Sequence, residues 1–129
     1  MTVDGVHCLV YEPQHPTQSK NTDFYSHKFH QAGVGYEIGI AVYENKVVWV
    51  NGPFPAGKTD IHIFRHKGLK DKIPVGKRIL GDNGYRGEDE IIGTPNAHDP
   101  AEIRKFKSRA RARHESFNAR LKAFRCLDK

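Results

Sequence analysis

Residues 36–50, Tyr-Glu-Ile-Gly-Ile-Ala-Val-Tyr-Glu-Asn-Lys-Val-Val-Trp-Val, decide the fold. Two runs rich in β-branched and aromatic residues, Tyr36 to Tyr43 and Lys46 to Val50, flank Glu44-Asn45 at the spacing of a β-hairpin. Upstream, Thr2 to Tyr11 (TVDGVHCLVY) has an extended-type pattern and stops at Glu12-Pro13, which predicts a first strand. Residues 12–32 between them are polar, Pro-bearing and aperiodic, and read as a long loop. Downstream, Gly52-Pro53-Phe54-Pro55-Ala56-Gly57 breaks the chain, and Ile61, Phe64 and Leu69 predict a helix over 58–73, ended by Pro74 and Gly76. Arg78-Ile79-Leu80 reads as a short buried strand running into the turn sequence Gly81-Asp82-Asn83-Gly84. A further short strand is expected at Ile91-Ile92.

The last element has the clearest period. From Pro100 to Phe124, Ile103, Phe106, Ala110, Phe117, Leu121 and Phe124 fall in a stripe roughly 60° wide on a helix with about 100° per residue. Asp99 is the expected cap, with Pro100 at the start. Three strands able to pair antiparallel, then a crossover helix to a fourth strand parallel to the first, make a mixed α/β plan. In that plan Asp4, on strand one, and Asp82, at the carboxyl end of strand four, meet at one sheet edge, where ligands of open α/β sheets tend to bind.

A chain of 129 residues suffices for one domain and not two. Hydrophobic residues make up 37%, no apolar run is long enough to span a membrane, and the N-terminus lacks a secretory signal pattern. Cys8 and Cys126 lie at opposite ends, against a disulfide scaffold. These features predict a soluble intracellular protein. The net charge of +6 is unevenly placed: residues 1–100 hold 11 Lys/Arg against 12 Asp/Glu, and residues 101–129 hold 10 against 3. The excess positive charge thus sits on the last helix, which suggests a polyanion such as nucleic acid, or else a solvated basic face.

Acids on separate elements suit hard divalent cations, which want oxygen ligands. Asp4 reads equally as a solvent-facing strand residue, and Asp82 as a turn former. On the last helix, with Ile103 at zero, Arg111, Lys122, Glu115 and Ser108 lie near 80°, 100°, 120° and 140°, on one face beside the apolar stripe. Glu115 is the only acid from Arg104 to Arg125. It fits either a surface ion pair with Arg111 or a third metal ligand flanked by phosphate-binding cations. Asp60 reads first as a helix cap and second as a fourth acid of the site. Zinc is disfavoured: His62/His66 and His27/His30 are pairs without a CxxC or HExxH pattern. Trp49 is expected in the core.

Several blocks together resemble a known family. They are Val3-Asp4-Gly5-Val6-His7, Tyr25-Ser26-His27-Lys28-Phe29-His30, Tyr36-Glu37-Ile38-Gly39 and residues 48–57 (VWVNGPFPAG). They continue with Asp60-Ile61-His62-Ile63-Phe64, Gly81-Asp82-Asn83-Gly84-Tyr85 and residues 111–122 (RARHESFNARLK). In these the chain resembles DDE transposases, in particular Harbinger-like and related insertion-sequence transposases and the DDE superfamily endonucleases. The resemblance implies an RNase H-like α/β catalytic domain over residues 1–129, truncated at both ends relative to such transposases. It also implies a site of Asp4, Asp82 and Glu115 holding two divalent cations, Mg2+ or Mn2+. Arg111 and Lys122 match the family's cations four before and seven after its Glu. Arg109, Arg113, Arg120 and Arg125 are expected to hold the DNA backbone with them. Ser108 stands where the family has Tyr, which removes an aromatic contact. The implied function is metal-dependent hydrolysis and strand transfer of DNA phosphodiester bonds. The alternatives are a non-catalytic domesticated remnant that binds DNA and an RNase H-like nuclease acting on RNA or hybrids. The partner is DNA, with a homo-oligomer allowed, and with no membrane or small-molecule substrate. The location would be the nucleus in a eukaryote and the cytoplasm otherwise, and a chain so truncated is expected to act weakly and without specificity for terminal repeats.

Overall fold

The computed structural model describes residues 1–11 and 22–124. Its elements are β1 (Thr2–Leu9), β2 (Tyr25–Ser26), β3 (Gln31–Ile40), β4 (Val47–Pro55), α1 (Asp60–His66), α2 (Leu69–Lys72), β5 (Ile79–Leu80), β6 (Ile92–Gly93) and α3 (Ala101–Lys122). β3 pairs antiparallel with β1 on one side, from Thr2↔Ile40 to Leu9↔Gly33, and with β4 on the other. β5 lies parallel to β1 through Thr2↔Leu80, and β6 extends the parallel side. The short β2 pairs with the start of β3. This is the expected mixed α/β sheet, an antiparallel meander with a parallel strand beside the first, and with a long basic C-terminal helix. Residues 12–21 of the expected 12–32 loop lie outside the described residues; the rest contains β2 and the first two residues of β3.

Alternation along β1 assigns its two faces. Val3 points into a core with Phe64, Leu69, Ile79, Tyr85 and Ile92, under α1 and α2. Val6 and Cys8 point the other way and join Ile38 and Ile40, covered by Phe117 and Leu121 of α3. Thr2 and Asp4 share that second face: Thr2 Oγ1 hydrogen-bonds His114 Nδ1 at 2.8 Å, and Asn118 Nδ2 donates to Asp4 Oδ2 at 3.0 Å. Helices thus lie on both faces, with the carboxyl end of β5 between them.

Four local expectations change. The break expected at Gly52-Pro53 is instead part of β4: the register with β3 shifts between Gly35 and Glu37, and such a bulge accommodates a proline that donates no ladder bond. The single helix expected over 58–73 divides into α1 and α2, because Gly68 takes a left-handed φ of 109°. Thr59, not Asp60, caps α1, its Oγ1 accepting from the His62 N–H. Asp99 does not cap α3; it takes the Lys107 ammonium, and Pro100 is the cap residue.

The apolar stripe of α3 is buried only in part. Ala110 and His114 are buried, whereas Ile103, Phe106 and Phe124 remain exposed. The two-residue strands β5 and β6 offer the first turns of the helix little sheet to cover. Trp49 packs at the margin of the core, with Nε1 donating to the buried Glu37 Oε1 at 2.9 Å. Cys8 is buried, and Cys126 lies outside the described residues.

Candidate metal centre

Three carboxylates converge from three elements. Asp4 is presented by β1, and its Oδ1 accepts the Gly5 N–H at 2.9 Å while Asn118 holds Oδ2. Asp82 follows β5 and turns its Oδ1 back onto the Gly84 N–H at 2.9 Å, capping the short 3-10 turn Asn83–Tyr85. Asp60 opens α1, and because Thr59 serves as cap, its carboxylate is free to project over the sheet edge. Two glycines make the room. A Cβ on Gly5 would lie 2.2 Å from Asp60 Oδ1, and one on Gly84 would lie 2.9 Å from Asp60 Oδ2 and 3.1 Å from Asp82 Oδ1. One oxygen each from Asp4, Asp60 and Asp82 lie within 4.8 Å of one another, the only such trio of metal-capable groups among the described residues. His62 and His66 hold their rings 4.7 Å apart, tilted by 50°, on the exposed side of α1 and join no such group among the described residues.

Crowded negative charge dominates the electrostatics. Burial, then the charge of Asp82, pushes the Asp4 carboxyl up to about 6. Burial, then the charges of Asp4 and Asp82, pushes Asp60 up to about 7. Behind them lies Glu37, 1% exposed and itself pushed up by burial. Tyr85 is wholly buried, its hydroxyl pushed well up by burial and then by the charge of Asp60. Such an arrangement is costly for anions alone and favourable around a divalent cation. Hard carboxylate oxygens from separate elements are the donor set that magnesium or manganese prefers, so the residues present fit that group.

Glu115 stands slightly apart. It is exposed on α3, and its oxygens are not among the three that lie closest. With Asp4, Asp82, Arg111 and His114 it lines a small cavity of about 20 Å³, and its charge acts on Asp4. Asn118, one turn further along α3, makes the direct contact with Asp4. His114 is buried and neutral, its ring pushed down to about 4 by desolvation.

The cations of α3 divide between two flanks. Arg111 lines the acidic cavity and also a groove of about 290 Å³ bordered by Asn83, Arg86, Arg104 and Ser108. Lys122 sits over the Phe29 ring, 4.4 Å from its centroid. Arg109, Arg113 and Arg120, by contrast, fall near 240–280° on the wheel that places Glu115 near 120°, roughly the opposite side of the helix. Arg113 is occupied there: its guanidinium donates to Ala41 O, Val42 O, Glu44 O and Asn45 Oδ1 at 2.5–2.8 Å, locking the β3–β4 turn onto α3. Arg113, expected to hold DNA, is thus bonded to the β3–β4 turn in this structure. Arg109 and Arg120 are exposed. Arg125 lies outside the described residues.

Sequence reasoning placed Asp60 second to a capping role and missed Asn118, Arg86 and Arg104. The adjacent Thr59 was the signal for Asp60: a threonine one residue earlier is itself a good cap and releases the acid.

A mixed sheet with helices on both faces and acids gathered where β5 ends beside β1 is consistent with an RNase H-like α/β domain. A family profile described as DDE superfamily endonuclease matches residues 3–129, and the protein belongs to that family. No curated protein and no solved structure matches the chain. Among the described residues no helix is long and apolar enough to cross a membrane.

Proposed function

We propose that this chain is a metal-dependent endonuclease domain acting on DNA phosphodiester bonds, by hydrolysis and, given a 3′-hydroxyl, by strand transfer. The observation that carries the reading is the convergence of Asp4, Asp60 and Asp82 from β1, α1 and the end of β5. These three, with Glu115 alongside from α3, would hold two magnesium or manganese ions. The cations supply charge neutralisation for in-line displacement at phosphorus.

The chain's own residues then have distinct tasks. Asn118 and the Gly5 N–H fix the Asp4 carboxylate, and the Gly84 N–H fixes Asp82, so both oxygens are aimed before substrate arrives. Gly5 and Gly84 keep the space that Asp60 occupies. Arg111, beside the acids and at the end of the groove with Arg86 and Arg104, draws in the phosphate backbone. Lys122 does so from the other end of α3.

Nicking of supercoiled plasmid tests this. Nicking is expected with Mg2+ or Mn2+ and none in chelator, with Asp82→Ala or Asp60→Ala abolishing it while DNA affinity persists. Nicking that survives both substitutions would end the proposal. DNA binding with no cleavage in any cation would instead favour a non-catalytic binding role.

A further inference from the structure

We propose that Lys28 is a DNA-binding residue of the site: with Lys122, across the Phe29 ring, it grips the strand's phosphate backbone beside the acids. The inference rests on the endonuclease reading above and adds a cation from the turn before β3 to the Arg86, Arg104, Arg111 and Lys122 already placed along the substrate path.

The turn that carries Lys28 is firmly built. Ser26 is completely buried, and its hydroxyl bonds His7 Nδ1 at 2.9 Å and accepts the Phe29 N–H at 3.3 Å. The His30 N–H closes the turn on Ser26 O at 2.7 Å, with His30 itself at a left-handed φ of 55°. The turn is thereby tied to β1 three residues beyond Asp4. From it the Lys28 ammonium lies 5.5 Å from the Phe29 centroid, and the Lys122 ammonium lies 4.4 Å from the same ring. Those two distances put the two ammonium groups no more than about 10 Å apart, one from the turn and one from the end of α3.

Lys28 is also within electrostatic reach of the acids. Its charge acts on both Asp4 and Asp60, and, with that of Lys122, on His7. It is exposed and forms no ion pair with any described residue. A phosphate of a strand laid over the acids would meet these two cations, as it meets Arg111 at the other end. Placed so, Lys28 offers a compact point charge to an oxygen of that phosphate. The competing role is internal: Lys28 would only offset the charge of Asp4 and Asp60.

Anisotropy of a labelled DNA duplex, in the full chain carrying Asp82→Ala to block cutting, separates these roles. Lys28→Gln should weaken binding about three- to tenfold at low salt and reduce the slope of log K against log salt by about 0.9, one phosphate contact. Lys28→Arg should restore both. Calorimetry with Mn2+ alone gives the second readout. If Lys28→Gln changes Mn2+ affinity but leaves the DNA salt slope intact, the residue is an internal counter-charge and the inference falls, while the endonuclease reading stands. If the parent protein neither binds nor cuts DNA, that reading falls and takes this one with it.

Discussion

Replacing Asp60 by Asn should make the metal-free protein more stable, the opposite of what most changes at a half-buried polar residue do. Burial and the neighbouring acids push Asp60 up to about 7 in the fold against 3.8 as a free side chain, so at pH 8 folding must place an already ionised carboxylate where its charge is disfavoured. Three units at 1.36 kcal/mol each set an upper bound of about 4 kcal/mol. Water still reaches the carboxylate, and discounting for that screening leaves about 2 kcal/mol. The amide removes that charge and relieves Asp4 and Asp82 in turn. In chelator at pH 8, Asp60→Asn should therefore raise the urea-derived stability by about 2 kcal/mol, or Tm by roughly 6–10 °C. At pH 5 the wild-type carboxyl is protonated in the fold, and the gain should fall to less than about half, disappearing only below the unfolded value of 3.8. Saturating Mn2+ should reverse the order, because the wild type gains about 2.7 kcal/mol at a hundred times Kd and the variant little. A variant less stable than wild type in chelator at pH 8, or a gain unchanged at pH 5, would refute the crowding on which the metal centre rests.

Gly5→Ala should act like a substitution in the site itself. Its methyl meets Asp60 Oδ1 at 2.2 Å, so the carboxylate must leave, and Mn2+ affinity by calorimetry should fall at least about tenfold while stability changes by less than about 1 kcal/mol. Arg113→Ala should lower denaturant stability by about 1–3 kcal/mol through the loss of its bonds to the β3–β4 turn, with DNA affinity by anisotropy unchanged within about twofold. His114 has a folded pKa of about 4, below its unfolded 6.5, so the stability it contributes is present above 6.5 and lost as pH falls to 4. Urea melts at pH 7 and pH 4.5 should show that acid sensitivity reduced in His114→Gln. Metal binding should tighten as pH rises through 6 to 7, where Asp4 and Asp60 give up their protons, and calorimetry at pH 5.5 and 8 checks the sign.

The meander was legible because β-branched and aromatic residues crowd the runs 2–11, 36–43 and 46–50, the last two flanking Glu44-Asn45 at hairpin spacing. The parallel crossover followed from chain order and from a short apolar strand ending in Gly81-Asp82. What escaped was set by tertiary contact. The Gly52-Pro53 pair reads as a break until β3 is present to take the bulge. Asp60 reads as a cap until Gly5, some fifty-five residues earlier, is seen to leave room beneath its carboxylate. The basic helix was legible as a charge surplus, but not the split of its arginines. Arg109, Arg113 and Arg120 turn away from the acids, and Arg113 answers to backbone carbonyls on a turn about seventy residues upstream. Helical phase could have divided them, since it needs only their numbers.

The strand that delivers Asp82 is attached lightly. β5 has two residues, meets β1 at the single pair Thr2↔Leu80, and is followed at once by Gly81 and the acid. A sub-global opening that frees β5 and its turn would take Asp82 out of reach while β1, β3 and β4 stayed zipped. Heat should then abolish the proposed nicking several degrees before the sheet melts, and amide hydrogens of Leu80 and Gly81 should exchange well ahead of those in β3. A cation bridging Asp82 to its neighbours would slow just that exchange, coupling occupancy of the centre to the anchoring of its weakest strand.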